Sequence, residues 1–332
     1  MDKPPSKGIV KTWHPEDGWG SIKVDGLAEE CFAHSSCIAQ SGNEFHGLVP
    51  GDHVMVTWHY AQQDNFSAIA DLIEPYSPVR VFDTSFDYKT DTPAKTRPDP
   101  DKDSQRLRLD HELLWTKELR PGVSFAPSVS SARRNEYLIF TDVSEARHCY
   151  GSDTITSSYT TWVKPKALVN AIAGLDDDQR SRYLNPPYTI GSAMIWPLRK
   201  KDQPTMNTAR GLRLSVADRM DLTLECIRRH YTGEPGSPLA DVTNAYEDFF
   251  ALFHGFKEFV DFFHFQDLMT PDYAEVLFYL PFDNFKRSGT PATTEEYVKY
   301  RERALEFIAA RNRRMVEWVM EYHPEIEVRH SD

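Results

Sequence analysis

The stretch that decides the N-terminal fold is Asp17-Gly-Trp-Gly-Ser-Ile22, followed by Cys31-Phe-Ala-His-Ser35. Each reads as a short strand, because side chains of different character alternate along it. Working outward, Gly8-Ile-Val-Lys-Thr-Trp13 is an earlier strand. His14-Pro-Glu-Asp-Gly18 supplies the proline, aspartate and glycine of the turn that follows it. Val49-Pro-Gly-Asp52 is another turn, leading into His53-Val-Met-Val-Thr-Trp58, and residues 66 to 73 complete the set. Short strands at this spacing predict a small closed five-stranded barrel of the OB type, which leaves no long exposed edge.

These same residues carry a resemblance. Gly8-Ile-Val-Lys-Thr-Trp13, the Asp17 to Ile22 segment, the Cys31 to Ser35 segment and Gly51-Asp52 are similar, in order and spacing, to the motifs of the bacterial cold-shock domain family. The resemblance implies binding of single-stranded RNA or DNA on an open β face. Trp13, Trp19, Phe32 and His34 occupy the platform positions, with Lys11 and Lys23 meeting phosphates. Phe45, Trp58 and Tyr60 are candidates to extend the surface. The sequence departs from the family at Thr12, where a tryptophan is usual, and at Ser21 and Ser35, which replace stacking phenylalanines. Chemically, an aromatic platform suits an unpaired base, each contact being worth roughly 1–3 kcal/mol.

Composition sets the limits. With 332 residues the chain exceeds one ordinary domain, and its 40% hydrophobic and 12% aromatic content is enough for substantial cores. The expected division is 1–76 for the barrel and 77–332 for a larger α+β domain, helical in its second half. The formal net charge of -12 argues against a protein that wraps duplex DNA, which requires a broad basic surface. Stacking on single strands depends less on net charge. No apolar run reaches the ~20 residues that cross a bilayer, and no signal peptide opens the chain, so the cytoplasm is the expected compartment. Cys31, Cys37, Cys149 and Cys226 follow no zinc spacing and read as core thiols or bystanders. No metal and no cofactor is expected.

In the second region, residues 91 to 104 read as a solvated loop and 105 to 117 as a helix. A strand is expected over 137–143, a helix over 157–173 and a strand over 188–196. Ser215 is expected to cap a helix that runs to His230 and stops before Gly233. Helices are expected over 238–253 and 257–268, and one long helix over 293–320. Phe82-Asp-Thr-Ser-Phe86, Tyr188-Thr-Ile-Gly191, Asn207-Thr-Ala-Arg-Gly211 and the Asp218 to Arg229 segment resemble a bacterial family of unknown function. That resemblance brings no activity with it.

The residues themselves point to a candidate pocket built from Asn207, Arg210, Asp218, Asp221, Arg228 and Arg229. On a continuous helix Asp218, Asp221, Glu225 and Arg228 share a face, offering carboxylates for proton transfer or a metal and arginines for an anion. The bland alternative is an ion-pair ladder. Phe249, Phe253, Phe256, Val260 and Phe263 recur as a core face. His254, Glu258 and Asp261 share another face without a metal-site motif, and Arg106-x4-His111 is a spacing that also arises by chance. Arg301, Arg303, Arg311, Arg313 and Arg314 give the last helix a basic character, either a solvated face or a phosphate track. The expected function is single-stranded nucleic-acid binding, with the barrel presenting or sensing RNA or DNA for the second domain. The alternatives are a nuclease or nucleotide-processing effector, acting in phage defence or as a toxin through residues 207–229, and a scaffold using the barrel for protein contacts.

Overall fold

The structure, a computed structural model, describes residues 6–39, 48–75, 81–90, 99–120, 123–125, 127–129, 138–141, 147–160, 165–198 and 204–330. The chain divides into two compact units, Met1–Arg80 and Val81–Asp332. Phe45 and most of the expected loop over 91–104 lie outside the described residues.

In the first unit β1 (Ser6–His14), β2 (Trp19–Val24), β3 (Cys31–His34), β4 (His53–Gln63) and β5 (Phe66–Pro75) close into a barrel in the order β1-β2-β3-β5-β4. β4 returns to pair with β1, and β3 with β5 is the one parallel pair among these strands. This is the expected OB-type barrel. Alternation explains its closure: Val10, Ile22, Val24, Val54, Val56 and Ile73 point inward and are buried. Each such side chain contributes roughly 1.5–3 kcal/mol by leaving water. A bulge changes the phase of β1. Its register with β2 slips between Val10 and Thr12, so Lys11 and Thr12 are both exposed and Trp13 packs against the core. Gly20 faces Trp13, and a Cβ there would fall 2.3 Å from the Thr12 carbonyl and 2.5 Å from the Trp13 ring. Only glycine permits that approach.

The second unit contains β6 (Val81–Asp83), β7 (Lys117–Arg120), β8 (Val123–Phe125), β9 (Ser128–Val129), β10 (Leu138–Thr141), β11 (Arg147–Thr154), β12 (Ala193–Pro197) and β13 (Glu327–Arg329). Strands β9 to β12 form an antiparallel sheet in the order β12-β11-β10-β9, while β7 pairs with β8 and β6 with β13. Its helices are α1 (Pro100–Asp103), α2 (Gln105–Trp115), α3 (Lys166–Ala173), α4 (Asp177–Leu184) and α5 (Met206–Leu212). They are followed by α6 (Met220–Thr232), α7 (Ala240–Ala245), α8 (Glu247–Phe250), α9 (Phe256–Phe262) and α10 (Thr294–Tyr322). The core is largely aromatic. Phe249, Phe253, Phe256, Val260 and Phe263 are all buried, as their spacing predicts, and the Phe262 and Phe263 rings lie 4.7 Å apart. Thr293 caps α10 by accepting the Glu296 amide, and Ala304, Ile308, Met315 and Val319 form its buried stripe.

Several expected elements differ. The end of the loop expected over 91–104 is the short helix α1, the helix expected over 238–253 is divided at Tyr246 into α7 and α8, and the one expected over 257–268 stops at Phe262, with a separate 3₁₀ turn at Gln266–Leu268. The helix expected from Ser157 begins at Lys166; Tyr159 stands at φ 59°, a left-handed conformation that cannot open a helix. Ser215 does not cap α6, which starts at Met220, because Ala217 and Asp218 are left-handed at φ 52° and 57°. Buried Val216 and Ala217, with the Tyr159 hydroxyl donating to the Ala217 carbonyl at 2.7 Å, hold the chain in that turn. The strand expected over 188–196 begins only at Ala193, after a single 3₁₀ turn at Ile190–Ser192. The C-terminus of α6 is as expected, with Gly233 at φ 70°.

Candidate nucleic-acid interface and a polar pocket

On the outer face of the barrel, strand register places Trp19 beside His34 and Ser21 beside Phe32. The Trp19 and Phe32 rings stack with centroids 5.9 Å apart and planes at 20°. His14 extends the line beyond Trp19 at 4.5 Å, and Phe66 extends it beyond Phe32 at 5.7 Å. Trp19, Phe32 and Phe66 are half-buried, so each ring keeps part of its surface toward solvent, and His14 and His34 are exposed. Where a third large ring is absent, Ser21 and Thr12 join hydroxyls at 2.8 Å. His34 is held by Ser36, whose amide donates to its Nδ1 at 3.2 Å.

Two residues expected on this face are placed otherwise. Trp13 is turned by the bulge onto the barrel core. The Lys23 ammonium donates to the carbonyls of Leu27 at 3.1 Å and Ala28 at 2.8 Å, closing the turn after β2. Lys11 is exposed beside Thr12. Tyr60 is 67% exposed on β4, edge-on to Trp58 at 5.1 Å.

In the second unit a cavity of about 740 Å³ opens between the β11 end, the turn before α6, α5 and the Leu184–Tyr188 segment. Asp153 and Asp218 stand on its wall, and Arg210 lies behind them, fully buried. The Arg210 guanidinium is 3.5 Å from Asp153 Oδ2 and 3.3 Å from Asp218 Oδ1. Its Nε donates to Thr223 Oγ1 at 2.9 Å, and Nη2 donates to the Ile155 carbonyl at 3.3 Å. One cation therefore serves two carboxylates. Burial, opposed by Arg210, raises Asp218 to about 6. Burial, reinforced by the charges of Asp218 and Asp101, holds Asp153 well above the carboxylate range, against the pull of Arg210. Neither Asp153 Oδ2 nor Asp218 Oδ1 makes a hydrogen bond. Left-handed Tyr159, Ala217 and Asp218 bring backbone strain of order 1–3 kcal/mol each to this wall, least for the aspartate.

Of the six residues expected in one pocket, the structure brings Asn207 and Asp218 to the cavity and sets Arg210 just behind it. The others belong elsewhere, because Asp218 precedes α6 and the expected shared face does not form. Asp221 is wholly buried, gripped in bidentate fashion by Arg219, and accepts the Tyr279 amide at 2.9 Å. Arg228 and Arg229 both clasp Glu225, and Arg229 also donates to Asn284 at 2.6 Å. These pairs fasten α6 to the 279–289 segment. Asp153 was invisible to motif reading, since it comes from a strand end distant in sequence. Of the Arg106-x4-His111 spacing, His111 is fully buried in the core, while Arg106 is partly exposed and donates to the Val81 carbonyl at 3.2 Å. On α10, Arg301 and Arg311 are buried and donate to carbonyls, so they are not part of a phosphate track. Among the described residues no three His, Cys, Asp or Glu side chains converge to hold a metal, and no helix is long and apolar enough to cross a membrane.

A family model described as a family of unknown function, DUF6994, matches residues 82–315, beginning where the second compact unit begins. No curated protein matches the chain.

Proposed function

The chain belongs to the DUF6994 family, and from that premise we propose that its N-terminal barrel, of cold-shock type, binds single-stranded RNA or DNA. The observation that supports this reading is the line of rings His14, Trp19, Phe32 and Phe66 on one outer face. A continuous set of partly exposed rings is costly to leave in water and is matched by stacked bases. Residues 1–76 carry four lysines against eleven aspartates and glutamates. Binding then rests on stacking more than on phosphate charge. The barrel in this reading recruits or senses a strand for the DUF6994 unit.

Fluorescence anisotropy with short labelled pyrimidine oligonucleotides, one RNA and one DNA, tests it. Replacing both Trp19 and Phe32 by Ala removes two platforms and is expected to weaken binding by about 30-fold or more, from ~1 kcal/mol or more per ring. A thermal melt of the same variant checks that the barrel still folds. Equal affinity of folded variant and wild type would refute the proposal.

A further inference from the structure

The cavity in the second unit has an unusual balance of satisfied and unsatisfied groups. Its cations are already engaged. Lys89 donates to Asn185 Oδ1 at 2.8 Å and to the Pro186 carbonyl at 2.6 Å. Arg301 donates to the Tyr183 carbonyl at 3.1 Å, to Thr156 Oγ1 at 2.9 Å and to the Ser157 carbonyl at 3.2 Å. The carboxylates are not so engaged. Asp218 is only 5% exposed, turns Oδ1 to Arg210 and shares that guanidinium with Asp153 Oδ2, while the other oxygen of each carboxyl accepts no side-chain hydrogen bond from the described residues and is the one left to a ligand. A buried carboxylate in that position calls for donors from outside the chain.

The remainder of the wall defines what those donors belong to. Hydroxyls of Thr154, Ser158 and Thr160 and amides of Asn185 and Asn207 are spread around it. Pro186, Pro187, Leu184, Leu212 and Ile308 add apolar surface. Such a wall suits a compact ligand with O–H or N–H donors on one side and a flat apolar body on the other. An anionic group is disfavoured beside two carboxylates whose counter-charge lies behind them. A cationic group is not required either, because Arg210 already stands beside both carboxyls and burial disfavours the charged form of each.

We propose that this cavity is a binding site for an uncharged ligand bearing a vicinal diol, of the size and chemistry of a ribonucleoside, with Asp153 and Asp218 receiving the diol hydroxyls. A carboxylate accepting ribose hydroxyls is a recurrent solution to this recognition problem. The cavity volume of about 740 Å³ accommodates a ribonucleoside. The site is independent of the barrel reading, and the two can fail separately.

The test is calorimetric titration of the full chain with the four common ribonucleosides, their 2′-deoxy counterparts, the matching 5′-monophosphates and free ribose. At least one ribonucleoside, or ribose itself, is expected to bind at millimolar concentration or below. Where a ribonucleoside binds, its 2′-deoxy counterpart should be about tenfold or more weaker, the loss expected for one charge-assisted hydrogen bond. Ribose as the sole binder would assign the ligand as a sugar, and a bound nucleoside would assign the base as part of it; both retain the diol site. Asp153→Asn, which keeps the shape of the side chain and removes its charge, should weaken binding by a similar factor, with a thermal melt of the variant confirming that it is folded at the temperature of the titration. Leu212→Arg at the open rim should obstruct the site without touching the core, since Leu212 is 76% exposed. The Trp19 and Phe32 double variant should bind these ligands as wild type does. Absence of binding by every diol, equal binding of the deoxy compounds, tighter binding of the monophosphate, or loss of binding only in the barrel variant would each overturn the proposal.

Discussion

Replacement of Arg210 by Ala tests whether this arginine is scaffold or ligand contact. Its side chain is fully buried, within reach of two carboxylates and donating to Thr223 and to the carbonyls of Thr154 and Ile155. Its guanidinium also lies over Trp196, 5.3 Å from the ring centroid. Removing it leaves Asp153 and Asp218 without a counter-charge and the carbonyls without donors. Breaking one partner out of such a buried set costs about 3–5 kcal/mol. For a unit of roughly 250 residues that is a fall in melting temperature of about 6–20 °C. The triple change Arg210→Met, Asp153→Asn, Asp218→Asn removes the charges together and is expected to recover most of the loss, since a buried ion set can be replaced by neutral groups at little cost. Differential scanning calorimetry of the full chain reads both. A shift below ~2 °C for Arg210→Ala, or a triple variant as unstable as the single one, would refute the account of Arg210 as the shared counter-charge.

Further expectations follow from other contacts. Asp218 is raised to about 6 in the folded chain from an ordinary 3.8. Its protonation therefore stabilises the fold below about pH 4, and that contribution is lost as pH rises through about 6. The melting temperature of Asp218→Asn minus that of wild type should accordingly fall as pH is lowered from 7 to 4, and a flat difference would contradict the assignment. His264 behaves in the opposite sense. Burial, with Lys117 and Arg311 nearby, lowers it from 6.5 to about 2, so wild type should lose stability relative to His264→Phe as pH falls below 6.5; a constant difference would count against a buried neutral imidazole. Gly20→Ala should destabilise the barrel by about 1–3 kcal/mol, as overpacking does, because the new Cβ meets the Thr12 carbonyl and the Trp13 ring; a neutral urea midpoint would show that the β1–β2 approach is looser. For oligonucleotide binding, the slope of log affinity against log salt should be about -0.7, at ~0.7 per phosphate neutralised by Lys11; a slope steeper than about -2 would place the contact on another surface.

The barrel was legible because its determinants are local. Turn residues such as Asp17-Gly18 and Gly51-Asp52 mark the strand ends, and period-two alternation assigns Ile22 and Val24 to the core. The bulge at Lys11–Thr12 was not legible. It inserts one residue without an obligatory sequence mark, and it decides that Trp13 faces the core while Trp19 keeps a solvent-facing ring. In the second unit, the long helix and the phenylalanine face could be read from spacing alone. The start of α6 could not, because buried Val216 and the Tyr159 hydroxyl override the helical signal of Ser215. That override moves Asp218 off the helix and toward Asp153. Asp153 has no local signature, since its role exists only once β11 has paired with β12.

The disposition of arginine links these observations. In an acidic chain, the basic residues of the 207–229 segment and of α10 are the natural candidates for gripping phosphate. Five arginines of these two segments, Arg210, Arg219, Arg229, Arg301 and Arg311, are instead buried. Each donates to backbone carbonyls or to a carboxylate within the fold. A guanidinium has five donors in a rigid fork, so a buried one can tie several loops together at once. Arg311 joins Phe263, Gly191 and Ala193, segments far apart in sequence. Exposing such a group to a phosphate would mean unmaking the contacts that order those loops. The recognition proposed for each unit uses instead what the fold leaves unspent. In the barrel that is the ring surface of Trp19 and Phe32, and in the second unit it is the acceptor capacity of Asp153 and Asp218. Both favour neutral, donor-bearing or stackable chemistry over charge, and so both are expected to be only weakly sensitive to salt.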